Sequence, residues 1–178
     1  MCCGPAQYPH LFAISQVIGC GRLGGRCMLI IYVDADACPV KNEIYGVARR
    51  YGMRVVIVAN AALKVPGDAL FELVVRPGFG TADDYIAEMI GPGDLAITAD
   101  IPLASRCLAK GGRVLDPRGR VLTDSDIGTA LGMRDLMDHL RQGGTVTGGP
   151  SPMKPKDRSR FLSKLDEIVT ALLRARNC

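Results

Sequence analysis

The chain has no tryptophan, and aromatic residues make up only 5% of its 178 residues. An extended base-stacking platform spends Phe, Tyr and Trp on nucleobase faces, so such a platform is not the main business of this protein. Histidine is almost as scarce, with His10 and His139 alone. The seven cysteines form an odd set without C-x-x-C spacing, and four of them lie before residue 28. A closed zinc site wants four convergent Cys or His ligands, which this inventory does not supply. The same cysteine usage reads as reduced thiols in a cytoplasmic protein rather than a disulfide framework. No apolar run approaches the ~20 residues that span a bilayer, so no membrane partner is expected. There is no G-x-x-x-x-G-K-[ST] phosphate loop and no G-x-S-x-G nucleophile elbow.

What is present is an ordinary globular composition: 48% hydrophobic residues, 22% charged, and a formal charge of +4 that permits an anionic partner without requiring one. A domain of this size buries roughly 70% of its unfolded surface. The first 27 residues differ from the rest. "LFAISQVIG" has the apolarity of a signal peptide but no preceding Lys or Arg. Gly19, Gly21 and Gly24 spell G-x-G-x-x-G but leave no room for the helix that a dinucleotide loop must open. Residues 1–27 therefore read as a flexible extension, with Met28 as a candidate natural start.

From Met28 onward strand and helix signals alternate. Residues 29–33 are a continuous apolar run of the kind buried on both faces of a parallel sheet. Pro39 suits a first helical position, Ile44, Val47, Ala48 and Tyr51 recur at helical spacing, and Gly52 can end that helix in the left-handed conformation. "RVVIVA" and "FELVV" are further strands, "TADDYIAEMIG" a helix, "DLAITAD" a strand, and "PLASRCLAKGG" a helix. "RVLDPRGRVL" has the turn chemistry of a hairpin. The series predicts an α/β fold, a three-layer sandwich with a mainly parallel sheet flanked by helices, plus a C-terminal amphipathic helix.

In open α/β sheets ligands bind beyond the carboxyl ends of the strands. Asp34 and Asp36 follow the first strand, Asp83 and Asp84 open the helix after the third, and Asp100 follows "LAIT". Carboxylates gathered at one edge repel one another unless a cation sits among them, and an all-oxygen donor set suits Mg²⁺ or Mn²⁺. Each acid also has a local use: Thr81 with Asp84 spells a capping box, Asp36 and Asp100 can start the helices that follow them. Cys38 reads as a small packing residue, and His139, on the amphipathic stretch 133–142, as surface or packing. Lys154, Lys156, Arg158 and Arg160, on a proline-containing stretch expected to be extended, are candidates for phosphate contact. A haloacid-dehalogenase-type phosphatase with Asp34 as nucleophile is a competing reading. Against it, Cys38 stands where that pattern wants Thr, and Asp83 and Asp84 precede Thr98.

Four blocks, "VDADACPVKNEI", "GTADDYIAEMI", "TADIPLASRCLAKG" and "GPSPMKPKDRSRFLSKLDEI", occur in the order found in the YaiI/YqxD family of bacterial proteins, which residues 28–176 resemble as a single domain. That family is similar to the PIN-like and NYN-like nuclease domains. The resemblance implies a Mg²⁺ or Mn²⁺ site formed by Asp34, Asp36, Asp84 and Asp100, with Asp83 adjacent, and catalytic roles for Asp34 and Asp100. It implies hydrolysis of nucleic acid, RNA before DNA, or binding of RNA or nucleotide without cleavage.

Overall fold

The computed structural model describes residues 29–36, 38–129 and 152–177. The leader 1–27, Met28 and the stretch 133–142 with His139 lie outside the described residues. Among the described residues, six strands form one sheet: β1 (Ile30–Asp34), β2 (Arg54–Ala59), β3 (Phe71–Val75), β4 (Leu95–Ile97), β5 (Arg113–Leu115) and β6 (Val121–Leu122). Their spatial order is β3-β2-β1-β4-β5-β6. All neighbouring pairs are parallel except β5 and β6, which are antiparallel.

Among the described residues, the helices α1 (Lys41–Tyr51), α2 (Thr81–Met89), α3 (Ile101–Ala109) and α4 (Pro155–Asn177) accompany the sheet, and residues 124–129 are also helical. Because side chains alternate along a strand, each oily strand feeds two cores. Ile31, Val33, Val55, Ile57, Leu95, Ile97 and Leu115 face one side, where Ile44, Val47 and Ala48 of α1 and Phe161, Leu165 and Val169 of α4 cover them. Tyr32, Val56, Val58, Ala96 and Val114 face the other, against Ala82, Ile86 and Ala87 of α2 and Leu103, Ala104 and Cys107 of α3. The fold is thus the expected three-layer α/β sandwich with an amphipathic C-terminal helix. Full burial of each large aliphatic side chain stabilises the domain by roughly 1.5–3 kcal/mol.

Helix boundaries follow local chemistry. Gly52 ends α1 with φ 63°, as its position after Tyr51 predicts. The same helix starts two residues later than Pro39 suggests, because residues 39 and 40 form a turn. The largest departure is at α4. Pro155 is its first residue, so Lys156, Arg158 and Arg160 are helical rather than extended. The cause is Asp157, whose carboxylate accepts from the Lys154 N–H at 3.0 Å and draws on Arg118 and Arg160. An acid in the first turn offsets the macrodipole that the neighbouring cations would oppose.

The β5–β6 turn is seated directly on α4. Gly119 has φ 79°, and a Cβ there would lie 2.7 Å from the Phe161 nitrogen, which is backbone and has little freedom to yield. At Gly52 a Cβ would meet open space. Gly52→Ala is therefore expected to cost only the left-handed strain, about 1 kcal/mol. Gly119→Ala should cost about 3 kcal/mol or more, since it adds a backbone clash to that strain. Chemical denaturation of both variants checks the order; equal losses would contradict the seating of the turn on α4.

Candidate functional site

The chain runs outward from β1 through β2 to β3, then returns to the other side of β1 to lay down β4. This reversal makes the carboxyl ends of β1 and β4 the topological switch point, where the two crossovers leave a crevice. Asp34 is the last residue of β1, one register step beyond the Val33–Ile97 pair. Thr98 follows Ile97 immediately, so its side chain meets that of Asp34. The Thr98 hydroxyl donates to Asp34 Oδ2 at 2.9 Å, and Thr98 Oγ1 in turn accepts the Asp100 N–H at 3.0 Å. Thr98 is 1% exposed and Asp34 7%. A strand-end carboxylate this covered is tolerated because it has that hydrogen-bond partner.

The other acids are fixed from different segments. The Ala35 N–H continues the ladder onto Val58 O at 2.9 Å, which keeps the chain extended past Asp34 and carries Asp36 to the same cleft. Asp36 Oδ2 accepts the Asn60 N–H at 3.0 Å, just beyond β2. Asp100 caps α3, its Oδ1 accepting from Leu103 N–H at 2.8 Å. Asp83 sits in the first turn of α2. Together Asp34, Asp36, Asn60, Gly80, Ala82, Asp83 and Asp100 line an open cleft of about 210 Å³.

No lysine, arginine or histidine is among these lining residues. Burial pushes the Asp34 carboxyl above its usual range; the Thr98 hydrogen bond works the other way, and the charges of Asp36 and Asp100 add to the rise. Asp83 is raised as well, first by burial and then by Asp34 and Asp100, with Arg106 opposing.

The structure separates the expected residues into groups. Asp34, Asp36, Asp83 and Asp100 converge on the cleft. Asp84 points away from it, exposed and paired with Arg106 of α3 at 2.8 Å. The capping box does not form: Gly80 holds the N-cap position, and the Thr81 hydroxyl turns back to the carbonyls of Arg76 and Gly78 at 2.7 and 3.0 Å. Asp36 does not cap α1, whose N-cap is Val40 with no side-chain bond. Arg158 is committed to Pro39 O and Glu43, and Arg160 to Arg118 O and Asp157, so these two cations clamp α4 to the body. Lys154 and Lys156 are exposed at the start of that helix. Cys38 is buried and its thiol is pushed up to about 11, which removes the thiolate needed for reactivity. Sequence reasoning missed Asn60 and Thr98, although each follows a strand at the same edge as the acids.

The donor chemistry is that of a hard cation: carboxylate and amide oxygens with no sulfur or imidazole. Among the described residues, no three such groups stand close enough to enclose an ion by themselves. An ion there would be held through one or two carboxylates with water completing the shell, and not in an all-protein cage.

A family model described as "Uncharacterized BCR, YaiI/YqxD family" matches residues 32–171. A UPF0178 protein of Paramagnetospirillum magneticum is 55% identical over 143 residues, covering 80% of this chain and 95% of its own length. A UPF0178 protein of Rhodospirillum centenum is 53% identical over 154 residues, covering 84% and 100%. One from Brucella ovis is 54% identical over 149 residues, covering 83% and 92%. The matched span contains every acid of the cleft.

The raised carboxyls set a pH signature. A carboxylate whose pKa is higher folded than unfolded binds more protons in the folded state, so stability falls as pH rises from the unfolded value through the raised one. The penalty is nil below that window and full above it. In metal-free buffer Asp83→Asn should raise Tm at pH 8 by about 1–4 °C, with the gain disappearing near pH 3.5. Thermal melts across this range check it; a loss of Tm at pH 8 would contradict the repulsion.

Proposed function

The chain belongs to the YaiI/YqxD family, and on that footing we propose that it is a Mg²⁺- or Mn²⁺-dependent hydrolase of phosphodiester bonds in nucleic acid, RNA before DNA. The observation that carries the reading is the convergence of Asp34, Asp36, Asp83 and Asp100, from separate segments, on one cleft without a fixed cation in its wall. Four carboxylates cannot receive a phosphate anion unaided, because like charges would repel it. A divalent cation held by the cleft's carboxylates would supply the positive charge that a phosphoryl group needs and would acidify a bound water.

In this reading Asp34 and Asp100 are the ligands, while Asp36 and Asp83 orient the waters that would complete the shell. Thr98 holds one Asp34 oxygen in place and also anchors the backbone at Asp100, so a single hydroxyl sets the relation between the two. Asn60 does the same for Asp36 through its backbone N–H. Such outer contacts preorganise a site by removing the freedom of the groups that act. Asp84, paired with Arg106 outside the cleft, takes no part. Lys154 and Lys156 are the candidates for holding a backbone phosphate, since Arg158 and Arg160 are engaged. With 7% of its surface exposed, Asp34 suits ligation better than nucleophilic attack on a bulky phosphomonoester.

Cleavage of labelled single-stranded RNA with Mn²⁺ tests the proposal. Asp34→Asn and Asp100→Asn should each lower the rate on the order of a hundredfold or more. Asn is a good N-cap, so Asp100→Asn keeps the oxygen that serves α3 and isolates the loss of charge. Asp84→Asn should leave the rate near wild type and destabilise the fold by no more than about 1 kcal/mol. Equal rates in wild type, Asp34→Asn and Asp100→Asn would overturn the catalytic claim.

A further inference from the structure

A chain poor in aromatics leaves one of its few rings wholly in solvent. Phe79 has a relative exposure of 106%, whereas Phe161 is fully buried and Phe71 is half-buried against the core. The other large apolar side chains exposed among the described residues, Val75, Met89, Val121 and Leu162, are exposed by 36–40%. Exposing a whole phenyl group forgoes the stabilisation that its burial would give, so its retention on the surface points to a use outside folding.

The position of the ring is defined. It lies in "RPGFGT", between β3 and α2, with Gly78 at φ 121° and Gly80 at φ 72° on either side. Neither neighbour carries a side chain, so neither screens the faces of the ring. The loop is pinned rather than loose: the Arg76 N–H donates to Ala59 O at 2.9 Å, and the Thr81 hydroxyl binds the carbonyls of Arg76 and Gly78. Gly80, the residue after Phe79, is part of the wall of the acidic cleft. Three residues before it, the Arg76 guanidinium lies 4.7 Å from the Tyr85 ring centroid, which holds a cation on the same loop.

We infer that Phe79 is a stacking post for one unpaired nucleobase of a single-stranded substrate, placed so that an adjoining phosphate reaches the cleft, with Arg76 beside it for the backbone. A single ring flanked by two glycines does not by itself supply the contiguous apolar area that a protein partner or a membrane needs. It suits a flat partner that stacks. A base within a duplex has its faces covered and cannot use the ring. The inference rests on the reading that the cleft receives nucleic acid, and it adds the substrate class: single strands before duplexes.

Because the chain has no tryptophan, Phe79→Trp introduces a single reporter at the site. Fluorescence of that variant is followed with Ca²⁺ in place of Mn²⁺ as a 12-nucleotide single-stranded RNA, an abasic strand of equal length, or a blunt duplex is added. The result expected is quenching by the single strand and little by the other two. Phe79→Ala should weaken single-strand binding roughly five- to a hundredfold and raise KM with kcat nearly unchanged, while Phe79→Trp binds at least as well as wild type. Unquenched fluorescence at saturating RNA, or Phe79→Ala binding like wild type, overturns the inference; if Mn²⁺-dependent cleavage persists there, the hydrolase reading stands alone. Base-dependent quenching without any cleavage supports the stacking post and removes the hydrolase. No binding of RNA by any variant overturns both.

Discussion

Mutual repulsion among the carboxylates at the ends of β1 and β4 is the constraint that the surrounding structure answers. A buried acid beside two others is unfavourable in a medium less polarisable than water. The fold tolerates it through hydrogen bonds to neutral donors: the Thr98 hydroxyl on Asp34, the Asn60 N–H on Asp36, and the Leu103 N–H on Asp100. None of these neutralises charge. They hold the acids in position and leave their negative field in the cleft.

The rest of the architecture serves that edge. A parallel sheet whose two faces are both covered leaves only its strand ends for chemistry, and the return of the chain from β3 to β4 opens a crevice at one of them. On the α1 side, α4 closes the domain by burying Phe161, Leu165 and Val169, and its Arg158 and Arg160 go into this closure. Arg158 binds the carbonyl of Pro39, five residues after Asp34, so the C-terminal helix also steadies the loop that carries Asp36. Arg50 and Tyr51 of α1 meet Asp166 of α4 at 2.9 and 3.0 Å and extend the same clamp.

Much of the fold is legible in the sequence because its strands are short, oily and bounded by Gly, Pro or Asp, and because Gly52 and the Pro-Arg-Gly turn are strong local signals. The α/β order follows from their alternation. The candidate site is legible only to the level of which junctions carry acids. Separating Asp83 from Asp84 needs the rotational phase of α2: consecutive helical residues point about 100° apart, so one faces the cleft and the other faces Arg106. The Thr81–Asp84 pattern fails as a cap because the glycine-bounded turn before it places the Thr81 hydroxyl against carbonyls at 76 and 78. Arg158 and Arg160 read as free cations since their partners on the body, Pro39, Glu43 and Arg118, are at least 42 positions away and are brought near by tertiary packing alone. Asn60 and Thr98 carry no charge, and their roles emerge only when the strand ends are set side by side.

The central claim is that these acids are held together for a divalent cation. Calorimetric titration of Mn²⁺ into the metal-free protein, beside the Asp34→Asn and Asp83→Asn variants, addresses it without depending on any substrate. The account predicts saturable binding to the wild type and at least about tenfold weaker binding in Asp34→Asn. No binding to the wild type, or the same affinity in all three proteins, would contradict it.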